Sequence, residues 1–544
     1  MSNRILIGSE SRSSILKGIN DASNIIKKTL GPSGRLALVD EGMSIRFTKD
    51  GVSVAKAIDL SDKSESIGVK LVQKVASKTV DTAGDGTTTS VVVFQSLVNN
   101  GMELIEAGLS SVEVQSGIRA ALSHTEKFLG TITSEIKGDD KKIKQVATIS
   151  ANGEEEIGEL ISKAIAKIGT DGVIAVDDSK SVDTYLNVVE GMELERGYIS
   201  SSFVNNQSKQ TCELENPYVL IFDSKISNVN ALIPVLEKVV AANRSMLIMS
   251  EDLEGTALAA IVLNFVRRTM KVAAIKLPGF GDNRKEVSKD IAVMTGGIVI
   301  SEEAGDKLEN VQLEKLGQAK KIIISKDKTT IIEGHGNEDE KQERVSLIKS
   351  ERENSTSDYD KEKLQERVSK LTNGMAVINV GGATEVEQKE RKDRVEDAVL
   401  AVKSALESGI LPGGGSALAH ASRDLEKLIE DSSLSTVEKE AVKAFQKAIC
   451  APMLQNIENS GSEKGLVFLN EVQSSSDKNH GYNVISKGYG SMIDLGILDP
   501  KKSTESAIKY ACSIGIMFLT SGGSIVTLPE DRESNSMPSM DGMY

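Results

Sequence analysis

The sequence predicts a multidomain chain of α and α/β character, with an α/β unit inserted into a helical domain. Three observations predict it. At 544 residues the chain is too long for one compact core, and its length sets an expectation of about three domains. Apolar residues stand at helical spacing towards both ends. Between those ends, short apolar runs alternate with helical stretches.

Residues from about 12 to 130 read as helical, with Ile15, Ile19 and Ala22 on one face and Val69, Val72, Val75 and Ala76 on another. From about 173 to 325 the pattern changes. Val173 to Val176, Val219 to Phe222, Met246 to Met249, Val272 to Ile275 and Lys321 to Ile324 are short runs of the kind buried in an α/β sheet. Residues 335 to 371 are charge-dense, and Leu364, Val368 and Leu371 stand at helical spacing, so a solvated helical pair is expected there. Helical character returns from about 386. The last residues, rich in Ser, Met and Gly, are expected to be disordered.

Composition excludes several functions. The net charge of −14, from 79 acidic and 65 basic residues, argues against a nucleic-acid binder that relies on a general positive field. With no tryptophan and few aromatics, base-stacking platforms are poorly supplied. Cys212, Cys450 and Cys512 are odd in number and widely spaced, which suggests neither a disulfide framework nor a zinc site and fits a reducing cytoplasm. His124, His335, His420 and His480 are scattered and read as structural or surface residues. No apolar run approaches the roughly 20 residues that span a bilayer, so secretion and membrane insertion are not expected.

The chemistry-bearing run is Asp81-Thr-Ala-Gly-Asp-Gly-Thr-Thr-Thr-Ser90, entering the apolar stretch Val91 to Phe94. A Gly-rich turn lets backbone approach an oxyanion, and the start of a helix offers free amides and a positive dipole end. Asp85 could hold a hard cation, and Thr87, Thr88 and Thr89 could donate to phosphate oxygens. The run could equally be a loop with ordinary Asp and Thr caps. Thr29-Leu-Gly-Pro-Ser-Gly34 reads either as a nucleotide-wrapping turn or as a helix C-terminal glycine with a proline stop. Thr48-Lys-Asp-Gly51 offers a cation and a carboxylate, or a hairpin turn. Asp397, early in an expected helix, is either a cap or a general base, and Asp499-Pro500 could be an N-cap with proline at the first helical position. No Gly-x-x-x-x-Gly-Lys-Ser/Thr run occurs, so this is not a P-loop protein.

Taken in order, these motifs resemble the group I chaperonins of the GroEL type, from about Ser13 to Asp531. Also shared are Ile149-Ser-Ala-Asn152, Pro278-Gly-Phe-Gly-Asp282, Ala383-Thr-Glu-Val-Glu387, Arg394-Val-Glu-Asp397, Gly413 to Gly415 and Met492 to Pro500. The resemblance implies a chaperonin fold. An equatorial ATP domain would span 1–132 and 408–524, an intermediate hinge domain 133–189 and 375–407, an apical client-binding α/β domain 190–374, and a flexible tail 525–544. It implies that Thr29, Leu30, Gly31, Pro32, Lys49, Asp85, Gly86, Thr87, Thr88, Thr89, Gly414, Asn483, Val484, Ile485 and Asp499 bind ATP. Asp85 would hold Mg2+ and a potassium ion would assist, while Asp50 and Asp397 would serve hydrolysis, Asp397 by placing the attacking water. Gly191, Gly374 and Gly409 match hinge positions. Tyr198, Phe203, Ile233, Leu236, Leu258, Val262 and Leu263 match positions that hold non-native clients and the lid. Partners implied are those clients, a GroES-type co-chaperonin and further copies of the chain in heptameric rings stacked in pairs, with neither nucleic acid nor membrane.

Some positions depart from the family pattern. Ser202 stands where an aromatic client contact is usual, although Phe265 adds an apolar group nearby. Val484 and Ile485 replace small residues beside the nucleotide and could crowd it. Leu454 takes the place of an arginine expected to pair with Glu463, Ser408 and Glu505 replace a coupling ion pair, and Ile136 replaces a hinge proline. Two functions are therefore expected: an ATP-driven folding chamber, or a specialised paralogue acting mainly in client binding or assembly, with weak ATPase or altered rings.

Overall fold

The computed structural model describes residues 3–527 except 41, 43, 44, 171, 208, 356 and 373. The chain divides into two compact units, one formed by Met1–Ser162 with Gly382–Tyr544 and the other by Lys163–Gly381. The second unit interrupts the first, as the reappearance of helical spacing near 386 predicts.

The first unit is a helical assembly built from Ser9–Ile26, Lys63–Ala83, Thr87–Glu106, Ser111–Thr131, Thr436–Asn459 and Lys501–Leu519. In Ser9–Ile26 the buried positions are Ser11, Ile15, Gly18, Ile19, Ala22, Ser23 and Ile26, a 3–4 spacing that turns one stripe inward. Asp62 starts Lys63–Ala83 by accepting from the Ser64 and Glu65 amides, and Gly84 ends it with φ 73°. Ser435 and Glu438 form a capping box at Thr436–Asn459. These ends orient helices whose Ile19, Val72, Phe94, Leu97, Ile118, Phe445 and Ile508 make one core. Each such side chain contributes about 1.5–3 kcal/mol by leaving water.

Two elements of this unit differ from the expected helical run. Strands Ala37–Asp40 and Ile45–Thr48 pair antiparallel within the stretch read as helical. Four-residue strands are too short to print a period of two. Asn3–Ile7 pairs antiparallel with Gly523–Thr527, so the expected tail, 525–544, starts inside a strand, and its remainder lies outside the described residues. Among the described residues no helix is long and apolar enough to cross a membrane. All three cysteines are free and buried, and burial pushes the Cys212 thiol up to about 12 and the Cys450 thiol up to about 11.

His420, on Ser416–Asp424, is fully buried, and its Nε2 donates to the His480 carbonyl at 2.8 Å. Burial holds its pKa below the usual imidazole value. The unfolded chain therefore binds a proton near pH 6.5 that the folded chain refuses, and stability present above that pH is lost as pH falls through it. We expect the thermal midpoint of wild type to fall more between pH 7.5 and 5.0 than that of His420→Gln. Equal falls would remove His420 from the acid response.

The second unit carries an eight-stranded mixed sheet. Val272–Lys276, Met246–Leu253 and Tyr218–Ile226 run parallel, joined by crossover helices, and Gly317–Ile324, Thr329–Gly334 and Gly191–Leu194 continue the sheet antiparallel. Leu220, Ile221, Phe222, Met246 to Met249 and Val272 to Ile275 are buried, which is why these strands read as unbroken apolar runs. The run from Val173 does not join them. Its strand, Ile174–Asp178, belongs to a separate three-stranded sheet with Met375–Val380 and Tyr185–Val189.

The charge-dense stretch folds as helices Glu338–Asn354 and Asp358–Thr372, but it is not uniformly solvated. Arg344 donates to Asp290 at 2.7 Å and to Glu286 at 2.6 Å, and Arg367 donates to both Asp290 oxygens at 2.7 and 3.0 Å. Asp290 and Arg344 are buried.

Candidate nucleotide site

In the first unit, segments far apart in sequence line one cavity of about 450 Å³. Its anion end is the start of helix Thr87–Glu106. Gly86, with φ 86°, occupies the cap position, a conformation that strains any residue with a Cβ, and it leaves the first amides without a side-chain cap. Those amides, the positive dipole end and the hydroxyls of Thr87, Thr88 and Thr89 suit an anion. The Asp81 to Ser90 run is thus a helix start without a side-chain cap, opening on a cavity.

Asp50 is placed differently from the hairpin-turn reading of 48–51. It caps helix Gly51–Ala57, Oδ1 accepting from the Val52 amide at 3.0 Å and Oδ2 from the Ser53 amide and hydroxyl at 2.9 and 2.6 Å. Lys49 is half-buried beside it, and burial followed by the Arg394 charge lowers its pKa.

Asp397 is not early in its helix. The helix runs Glu385–Ser408 from a Thr384 cap, so Asp397 sits mid-helix, beyond reach of the N-terminal dipole. Burial, then the charges of Asp50 and Asp85, raise its pKa well above the carboxylate range. Asp85 is raised too, by burial and Asp50 against a bond from the Gly86 amide. Nor is Asp499 an N-cap: it lies in strand Leu498–Pro500, paired with Leu411, and Pro500 is the cap of Lys501–Leu519. Burial and the Asp85 charge push Asp499 up to about 7, opposed by bonds from the Gly415 and Gly414 amides.

Thr29, Leu30, Gly31, Pro32, Lys49, Asp50, Asp85, Gly86, Thr87, Thr88, Thr89, Asp397, Gly414, Asn483, Val484, Ile485 and Asp499 all line this cavity. The lining also includes residues given no role from sequence: Ser150, Asn152, Arg394, Pro452, Asn456 and Ser503. Ser150 and Asn152 lie in a shared motif, which was their only signal. Val484 is partly buried against a cluster that includes Tyr482, and Ile485 is 69% exposed, so Ile485 does not fill the interior.

The donor set fits a divalent cation. The charge of Asp50 raises the pKa of both Asp85 and Asp397 in this partly buried site, and a cation offsets that repulsion. Among the described residues no three ligating side chains converge closely enough to hold a metal unaided. One or two carboxylates completed by phosphate oxygens and water is the shell a magnesium ion takes.

In the second unit the expected client-binding residues do not share one exposed face. Phe203 is fully buried, edge-on to Phe265 at 5.5 Å, and Leu236 is buried in the sheet's core. Tyr198, Leu258 and Val262 are half-buried against the same core, while Ile233 and Leu263 are exposed. A stripe at helical spacing marks a helix face without saying whether it points inward.

The TCP-1/cpn60 chaperonin family model matches residues 22–526. The chain belongs to that family. A solved chaperonin, gp146 from the bacteriophage EL 2 (Pseudomonas aeruginosa), crystallised in the presence of ATP-BeFx, is 22% identical. The match covers 97% of this chaperonin and 99% of that chain, with a TM-score of 0.65. The likeness establishes a chaperonin fold with helical and α/β parts.

Proposed function

We propose that this chaperonin is a Mg-ATPase of the group I type that captures non-native proteins on apolar surfaces of residues 190–374. It would enclose them in a homo-oligomeric ring chamber, of heptameric rings stacked in pairs, closed by a GroES-type lid. The single observation that carries the reading is the convergence of Thr29 to Pro32, Asp85 to Thr89, Asp397, Gly414 and Asp499 on one cavity. The three-stranded sheet from residues 174–189 and 375–380 would belong to the intermediate hinge domain, with Gly191, Gly374 and Gly409 at its borders.

In this reading the Thr87 to Thr89 amides and hydroxyls hold phosphate oxygens, and Lys49 adds a positive charge beside them. A bound magnesium ion supplies charge neutralisation on the phosphates, and Asp85 would hold it, with a potassium ion offsetting remaining carboxylate charge. Both oxygens of Asp50 are taken by its helix cap, so Asp50 would act through its field on Asp397. Asp397 can orient water as an ionised base only when the charges of Asp50 and Asp85 are offset. That requirement ties hydrolysis to a filled site.

Magnesium is expected to tighten binding of a fluorescent ATP analogue by at least about tenfold in wild type and less than about twofold in Asp85→Asn. Titration with and without Mg2+ measures this, and equal gains would remove Asp85 from cation binding.

One observation favours the alternative of a specialised chaperonin with weak ATPase or altered ring assembly. Ser408 Oγ donates to the Ser404 carbonyl at 2.8 Å and accepts from the Lys502 amide at 3.0 Å, while Glu505 pairs with Lys501 at 3.6 Å. Both positions of the family's coupling pair are thus occupied by local contacts.

A further inference from the structure

Helix Glu385–Ser408 meets the rest of its unit on both sides of Asp397. One turn after Asp397, Leu400 packs on Gly84, the residue before Asp85: a Cβ on Gly84, whose φ is 73°, would lie 2.6 Å from Leu400 Cβ. One turn before Asp397, on the same face at i−4, Asp393 Oδ2 accepts from Arg46 Nη2 at 3.0 Å. Both side chains of that ion pair are largely shielded from water, Arg46 being 13% and Asp393 20% exposed.

Arg46 belongs to strand Ile45–Thr48, which leads directly into Lys49 and Asp50. Lys49, Asp50, Asp393 and Asp397 line the cavity, and Arg46 stands outside the lining. The ion pair therefore joins the strand that delivers one wall of the cavity to the helix that delivers Asp397. Arg391 and Arg394 of the same helix pair with Glu154, Glu156 and Glu390, none of which belongs to that strand.

We propose that Arg46 and Asp393 are positioning residues for hydrolysis: their ion pair, set against the Leu400–Gly84 contact, holds Asp397 where it orients the attacking water. The inference rests on the ATPase reading of the cavity. Misplacing a group by about 1 Å can cost about 10²-fold in rate, whereas an ion pair near the surface adds little to folding. Losing the pair should therefore slow turnover far more than it weakens nucleotide binding.

The test is steady-state phosphate release in Mg-ATP, beside displacement of a fluorescent ATP analogue. The full chain is used, as wild type, Arg46→Met, Asp393→Asn, the double variant of these two, and Arg46→Lys. Each of the first two variants is expected to lose roughly tenfold in kcat, with nucleotide affinity within about twofold of wild type. The double variant should fall no further than the worse single one, because both changes remove the same contact. That contact runs through one guanidinium nitrogen, so Arg46→Lys, which keeps the charge, should keep most of the turnover. Losses that multiply in the double variant, affinity that falls in step with kcat, or Arg46→Lys as slow as Arg46→Met would each overturn the proposal. If wild type binds nucleotide and releases phosphate and both single variants match it, this inference alone falls. If wild type does neither, the ATPase reading itself falls, and the inference with it.

Discussion

Asp397→Ala is expected to lower steady-state ATP turnover by at least about 10²–10⁴-fold, the usual loss when a positioned general base is removed. The variant should not unfold. Burial, then the charges of Asp50 and Asp85, raise the pKa of the partly buried Asp397, so folding either protonates it or holds it ionised at a cost, and deletion removes that cost. A thermal midpoint equal to or above that of wild type, with ring assembly and client binding retained, would separate loss of chemistry from loss of structure. Unchanged phosphate release in this variant would sink the role assigned to Asp397.

The largest stability effect is expected in the other unit, from Asp290→Ala. Asp290 is almost fully buried and accepts three charge-assisted bonds from Arg344 and Arg367, at 2.7, 2.7 and 3.0 Å. Removing the carboxylate leaves two guanidiniums with Glu286 as their remaining close carboxylate among the described residues, in a place where water cannot fully replace it. Breaking a buried pair from one side costs about 3–5 kcal/mol. Urea unfolding followed by circular dichroism measures the cost, and a loss under about 1 kcal/mol would mean that Glu286 and solvent suffice. Asp290→Ala combined with Arg344→Met should lose less than Asp290→Ala alone, since one stranded charge is removed.

What could be read from sequence follows from how locally each feature is encoded. The Asp81 to Ser90 run was legible because its glycines, acids and hydroxyls are contiguous and lead straight into an apolar helix. The parallel strands were legible because both their faces are buried, which prints an unbroken apolar run. The start of the Asp397 helix was not, since Glu385 to Arg394 is charged and carries little apolar period. The Ala37–Asp40 hairpin is too short to announce itself. Phe203 and Leu236 match client-contact positions by resemblance alone, which does not say which way they face, and their burial depends on the core they join in the second unit. Asn456 had no signal at all. It reaches the cavity wall only when the fold sets it against Gly31, from the opposite end of the chain. Contiguous chemistry was therefore readable, and chemistry assembled from distant segments needed the structure.

The activity expected of this cavity is ATP turnover in the service of unfolded proteins. The decisive measurement is phosphate release by the purified full chain in Mg-ATP, with and without a denatured protein added. Turnover well above the Asp397→Ala background is expected, at a rate that changes when the unfolded protein is present. Release no faster than that background, under both conditions, would contradict it.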